Sequence, residues 1–121
     1  MDKLREYTIS LDATLLDAAQ RINRNRSRAV MAVDDGKVIG IIGEGDIMRA
    51  LLQGVDIHAP LAPFIQSGFK FLRRKDYAQA LGLFAKHGIT MLPVLDDALR
   101  LQDVLLLTEV LAQLTLKIPS E

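Results

Sequence analysis

The stretch Ala29-Val30-Met31-Ala32-Val33-Asp34-Asp35 has a counterpart 62 residues further on, Met91-Leu92-Pro93-Val94-Leu95-Asp96-Asp97, and each is the middle of a longer matching unit. Upstream of the first, Leu15, Ala18, Ala19 and Ile22 stand at i, i+3, i+4 and i+7, the spacing of one helical face; upstream of the second, Tyr77, Ala80, Leu81 and Phe84 repeat it. Downstream, Val38-Ile39-Gly40-Ile41-Ile42 matches Leu101-Gln102-Asp103-Val104-Leu105 after one inserted residue. A unit of about sixty residues is thus present twice, and a duplication of that size makes a pocket between the copies a better expectation than a catalytic cleft.

The same stretches set the expected elements. Tyr7 to Ser10 reads as a short strand, with Asp12 as the N-cap of a helix that runs to about Asn23. Val30 to Val33 and Val38 to Ile42 are apolar at nearly every position and flank Asp35-Gly36, a dipeptide suited to the positive φ angles of a tight hairpin turn. A second helix from Glu44 to Gln53 stops at Gly54. Pro60, Pro63 and Gly68 mark residues 59–67 as a connector with one helical turn around Leu61 to Ile65. In the second copy Phe69 to Leu72 is the expected strand, Asp76 caps a helix ending at Gly88, Met91 to Leu95 and Leu99 to Leu106 form a hairpin, and Leu107 to Leu116 is the last helix. The expected fold class is α+β: two tandem β-α-β-β-α repeats, residues 1–58 and 68–121, related by pseudo-twofold symmetry and forming one compact domain. Lys117 to Glu121, with Pro119, reads as a tail or the start of a linker.

Composition narrows the function. Half of the 121 residues are hydrophobic and a quarter are charged, a globular balance, and 15 basic against 15 acidic side chains leave no net field toward nucleic acid or an anionic bilayer. The basic clusters Arg21, Arg24, Arg26, Arg28 and Arg73-Arg74-Lys75 lack interleaved aromatics, so nucleic acid is not the expected partner. There is no cysteine, which excludes disulfides and thiolate chemistry. No apolar run approaches the roughly 18 residues of a membrane span, and the expected location is cytoplasmic. His58 and His87, the only histidines, do not stand at metal-ligand spacing, and no nucleophile elbow, P-loop or G-x-G-x-x-G fingerprint occurs. An enzyme is therefore not expected, nor a required cofactor or metal.

Two residues stand out as candidate ligand contacts. Asp46 lies in the first turn of a helix that directly follows a strand, where the helix dipole favours a carboxylate in any case. The same position lets it accept two hydrogen bonds from a vicinal diol such as a ribose. On spacing alone the capping role is the stronger reading. Arg28 immediately precedes a buried strand, and its planar fork is suited to phosphate.

With its second half Gly88-Ile89-Thr90-Met91-Leu92-Pro93-Val94 and its first half closing in Val38-Ile39-Gly40-Ile41-Ile42-Gly43-Glu44-Gly45-Asp46-Ile47, the chain resembles the cystathionine-β-synthase (CBS) domain, paired as a Bateman module, from about Thr8 to Leu116. The resemblance implies an adenosine-containing ligand (AMP, ADP, ATP or S-adenosylmethionine) in the cleft between the repeats, and control of an attached or partner protein. It makes Asp46 the ribose ligand, places Phe69, Ile89, Thr90 and Met91 around the base, and lets Arg28 reach the phosphates. Gly43 departs from the family pattern because the hydroxyl expected there is absent, although glycine leaves its backbone amide accessible. In the second copy Leu106 and Glu109 stand where the hydroxyl and aspartate would be, so one competent site is expected. The run from Gly45 to Gly54 is similar to CBS pairs joined to sugar-phosphate nucleotidyltransferases, which would make such an enzyme the partner. Met48, Leu51 and Leu52, with Leu107, Val110, Leu111 and Leu114, offer apolar surface for a homodimer. The alternative is a ligand-free CBS pair serving as a dimerisation scaffold.

Overall fold

The computed structural model describes residues 3–116; the tail from Lys117 to Glu121 lies outside the described residues. The chain divides into two compact units, Met1–Phe69 and Lys70–Glu121. In the first, a 3-10 turn at Lys3–Tyr7 precedes β1 (Thr8–Ser10), α1 (Leu15–Asn25), β2 (Ala29–Asp34), β3 (Lys37–Gly43) and α2 (Glu44–Leu52). β1 runs parallel to β2, and β2 antiparallel to β3. The second unit holds α3 (Tyr77–His87), β4 (Met91–Leu95), β5 (Leu101–Leu106) and α4 (Leu107–Leu116), with β4 and β5 antiparallel. α1 and α3 begin and end at positions 62 residues apart, so the repeat in the sequence is a repeat in the elements.

α1 starts at Thr14 rather than at the expected Asp12. The Thr14 hydroxyl accepts the Asp17 amide at 3.1 Å, and the Asp17 carboxylate accepts the Thr14 amide at 2.9 Å. This reciprocal box satisfies two amides where Asp12 would satisfy one. The helix ends on Arg26 in the left-handed conformation (φ 59°), where the second unit places Gly88 (φ 64°). Hydrogen bonding from the Thr14 amide, then the Thr14 hydroxyl, holds the Asp17 carboxyl below its ordinary value. A depressed folded-state pKa contributes stability above the unfolded pKa and loses it as the pH falls through the folded value. Asp17→Asn should therefore destabilise the first unit at neutral pH, and its urea midpoint should converge on that of the parent as the pH falls through the depressed folded-state pKa.

The hairpin turns at Asp35 and Gly36, both with positive φ (53° and 77°), as an Asp-Gly turn of the primed type requires. The stretch after α2 is built into the first unit. The Leu15 and Leu16 amides, left without helical partners at the start of α1, donate to the carbonyls of Ala59 (2.9 Å) and Ile57 (2.8 Å). Leu61 is fully buried with Ile9, Leu15, Ala18, Val30, Ile42 and Ile47. After a 3-10 turn at Ala62–Phe64, Gln66 pairs with Ile41 on the outer edge of β3 through both backbone bonds, 3.0 and 2.7 Å. Gly40 permits this approach, since a Cβ there would stand 2.9 Å from the Gln66 carbonyl oxygen.

In the second unit Asp76 caps α3 by accepting the Gln79 amide at 3.0 Å, and Leu72, Ala80, Phe84, Leu92, Val94, Leu105 and Val110 form the core. Three expectations are corrected here. Phe69 to Leu72 does not form a strand: only Leu72 pairs with β4, donating to the Pro93 carbonyl (2.9 Å) and accepting from the Leu95 amide (2.8 Å). Extending that parallel ladder back to Lys70 would need the amide of residue 93, and proline has none. β5 begins at Leu101 rather than Leu99, because the Asp96 carboxylate holds the amides of Ala98 and Arg100 (2.9 Å each) in a loop with Leu99 at φ 65°. Val110, expected on an apolar surface, belongs to the core. Among the described residues no helix is long and apolar enough to cross a membrane.

Candidate functional site at the β3 to α2 junction

β3 ends at Gly43 and α2 begins at Glu44 with no intervening loop, so the first turn of α2 sits directly on the strand end. Gly43 is the N-cap in extended backbone (φ −113°, ψ 171°) and has no side chain to offer the helix. Asp46 makes the reverse contact instead: its Oδ2 accepts the Gly43 amide at 2.8 Å. Its Oδ1 accepts from Arg49 Nη2 at 2.7 Å and from Gln66 Nε2 at 3.0 Å. The side chain is only 13% exposed, so these three donors stabilise an otherwise costly partly buried carboxylate. A Cβ on Gly43 would lie 3.4 Å from the Arg28 carbonyl oxygen and 3.7 Å from Asp46 Oδ2, ordinary contact distances. A Cβ at position 43 is therefore tolerated, and glycine there lacks a side-chain hydrogen-bonding group without relieving a Cβ clash.

Arg28 reaches the same junction from the start of β2. Its backbone, at φ 69°, turns the carbonyl to accept the Glu44 amide at 3.0 Å, and its Nε pairs with Glu44 Oε1 at 2.9 Å. Both side chains are largely exposed, so this pair is a weak restraint and its guanidinium remains exchangeable. The second unit repeats the backbone contact, with the Leu107 amide donating to the Thr90 carbonyl at 2.9 Å. Glu109 Oε1 likewise accepts the Leu106 amide at 3.3 Å, the counterpart of the Asp46 contact to Gly43.

The structure thus brings Arg28, Gly43 and Asp46 together inside the first unit. Phe69, half-buried, closes that unit's sequence. Ile89, Thr90 and Met91 are consecutive at the start of β4 in the second: Ile89 packs on its core, and Met91 is buried opposite Leu106. Two residues at Asp46 went unread in the sequence. Arg49 had a signal in its i, i+3 spacing to Asp46. Gln66 had none, standing 20 residues away in a segment read as connector.

A second feature is a groove of about 890 Å³ on the first unit between α1 and α2, walled by Ala19, Ile22, Ile47, Met48, Leu51 and Leu52, with Arg26, Arg28 and Glu44 also lining it. Met48 and Leu52 are 57% and 81% exposed, unusual for side chains of that size.

Residues 3–53 match the family model of the CBS domain, and the chain has the fold of CBS-domain proteins. A CBS domain protein from Pyrobaculum aerophilum, solved complexed with AMP, matches at TM-score 0.71 and 20% identity over 96% of this chain and 99% of that one. A CBS domain pair/ACT domain protein from Thermotoga maritima matches at TM-score 0.75 and 20% identity, over 98% of this chain and 100% of that one. An uncharacterized protein from Helicobacter pylori strain J99 is 28% identical over 106 residues, 85% of this chain, and the chain spans 32% of that relative's length.

Proposed function

We propose that the chain is a non-catalytic regulatory module that binds an adenosine-containing nucleotide, with Asp46 as the ribose contact and Arg28 facing the phosphates, and that it controls an attached or partner enzyme. A sugar-phosphate nucleotidyltransferase is the partner class suggested by the Gly45 to Gly54 run. The observation that carries the reading is a partly buried carboxylate set on a strand-to-helix junction, in a fold shared with a CBS domain protein solved with AMP. Ligand binding would stabilise one arrangement of the module and pass that bias to the partner. The groove between α1 and α2, with Met48 and Leu52 exposed, is the surface proposed to pair with a second copy.

A second reading, a ligand-free dimerisation scaffold, is favoured by the three internal donors already on Asp46 and by the same exposed groove. Thermal unfolding with AMP, ADP, ATP and S-adenosylmethionine in turn separates the two. A ligand at a hundred times its dissociation constant adds about 2.7 kcal/mol, a rise of several degrees in the midpoint. A rise with at least one of them is the expected result, and unchanged midpoints with all four would establish the scaffold.

A further inference from the structure

The acceptor positions of Asp46 are nearly all taken. A carboxylate offers about four lone-pair positions. Oδ1 holds the donors of Arg49 and Gln66, and Oδ2 holds the Gly43 amide, which leaves one position among the described residues. A vicinal diol brings two hydroxyl donors, so one internal donor has to leave before the diol is fully bound. The Gly43 amide belongs to the helix cap, and removing it would leave a backbone donor unsatisfied. Arg49 makes a charge-assisted bond at 2.7 Å from the neighbouring turn of the same helix. Gln66 is the neutral donor, at 3.0 Å the longest of the three, and its amide is free to turn toward water.

Resting on the nucleotide reading above, we propose that Gln66 is an internal competitor for the ligand: its side-chain amide occupies the diol's place on Asp46 and must be displaced when nucleotide binds. The consequence is regulatory as well as energetic. Gln66 is also the residue that zips the stretch after α2 onto β3, through both of its backbone bonds to Ile41 and the close approach at Gly40. Displacing its side chain removes one of the contacts that dock this segment, so nucleotide binding and the docking of residues 65–67 oppose each other. The apparent affinity for ligand is lowered by the fraction of molecules in which Gln66 occupies Asp46.

The test is titration of AMP into the full chain and into Gln66→Ala, followed by calorimetry. Tighter binding by Gln66→Ala, roughly tenfold and equivalent to about 1.4 kcal/mol, is the expected result. A second measurement follows the Gln66 side-chain amide protons by NMR in the unsubstituted protein, with their signals assigned by their loss in Gln66→Ala. They should move from a hydrogen-bonded to a solvent-like position as AMP saturates. Equal or weaker binding by Gln66→Ala, or side-chain signals that stay in place at saturation, would overturn the competitor role while leaving the nucleotide reading intact. Where AMP does not bind, ADP, ATP and S-adenosylmethionine are titrated in turn, and binding of none of the four to either protein would overturn both.

Discussion

Leu61→Ala should lower the stability of the first unit by about 2–5 kcal/mol, the range for truncating a fully buried leucine. Leu61 lies in a proline-bounded stretch of a kind that tolerates substitution when it runs over a surface. Here it has no exposed surface, and it packs among Ile9, Leu15, Ala18, Val30, Ile42 and Ile47. Its amide donates to the Ala13 carbonyl at 3.0 Å, beside the bonds through which Ala59 and Ile57 satisfy the start of α1. Alanine would leave a cavity among these core side chains, and the segment cannot shift to fill it without disturbing its bonds to the start of α1. Urea denaturation of parent and variant measures the effect; a loss under about 1 kcal/mol would show that residues 55–66 ride on the unit rather than help to hold it together.

The contrast between Leu61 and its expected role as connector shows where the sequence was legible. Local chemistry was readable: Asp76 and Gly88 bound α3 where capping and left-handed backbone demand, Asp35-Gly36 makes the turn, and α4 spans Leu107–Leu116. Features that depend on a distant partner were not. The cap of α1 is an exception, since Thr14 wins over Asp12 through a reciprocal bond to Asp17 only three residues on, a local pattern that the choice of Asp12 overlooks. Phe69 to Leu72 has the composition of a strand, but its pairing is cut short by a missing amide on Pro93, in another element. Leu61 belongs to a core cluster whose members reach 52 residues back along the chain, to Ile9.

The candidate site divides in the same way. Spacing offered capping and ligand contact as rival roles for Asp46, and the capping role is visible in the bond to Gly43. Capping does not exhaust the carboxylate, because Oδ1 takes no part in it and carries the side chains of Arg49 and Gln66. The second of these was beyond any local pattern, and so was the pairing of Arg28 with Glu44 across 16 residues.

Asp46 is where the fold, the family match and the proposed ligand meet, and its replacement carries the other large expected effect. Asp46→Ala removes the acceptor for three donors and should itself cost about 1–3 kcal/mol, because the Gly43 amide at the helix start loses its partner. It should also remove the midpoint rise that AMP produces. Asp46→Asn keeps an acceptor oxygen and so guards against mistaking a damaged helix start for a lost contact. The most direct measurement is calorimetric titration of AMP into the parent and Asp46→Asn at neutral pH. Saturable binding by the parent and a loss of at least about tenfold in the variant is the expected outcome, since hydrogen bonds to a charged acceptor contribute about 1.5–3 kcal/mol. AMP binding of equal strength in both proteins, or binding of none of AMP, ADP, ATP and S-adenosylmethionine to the parent, would contradict the assignment of Asp46 as the ribose contact.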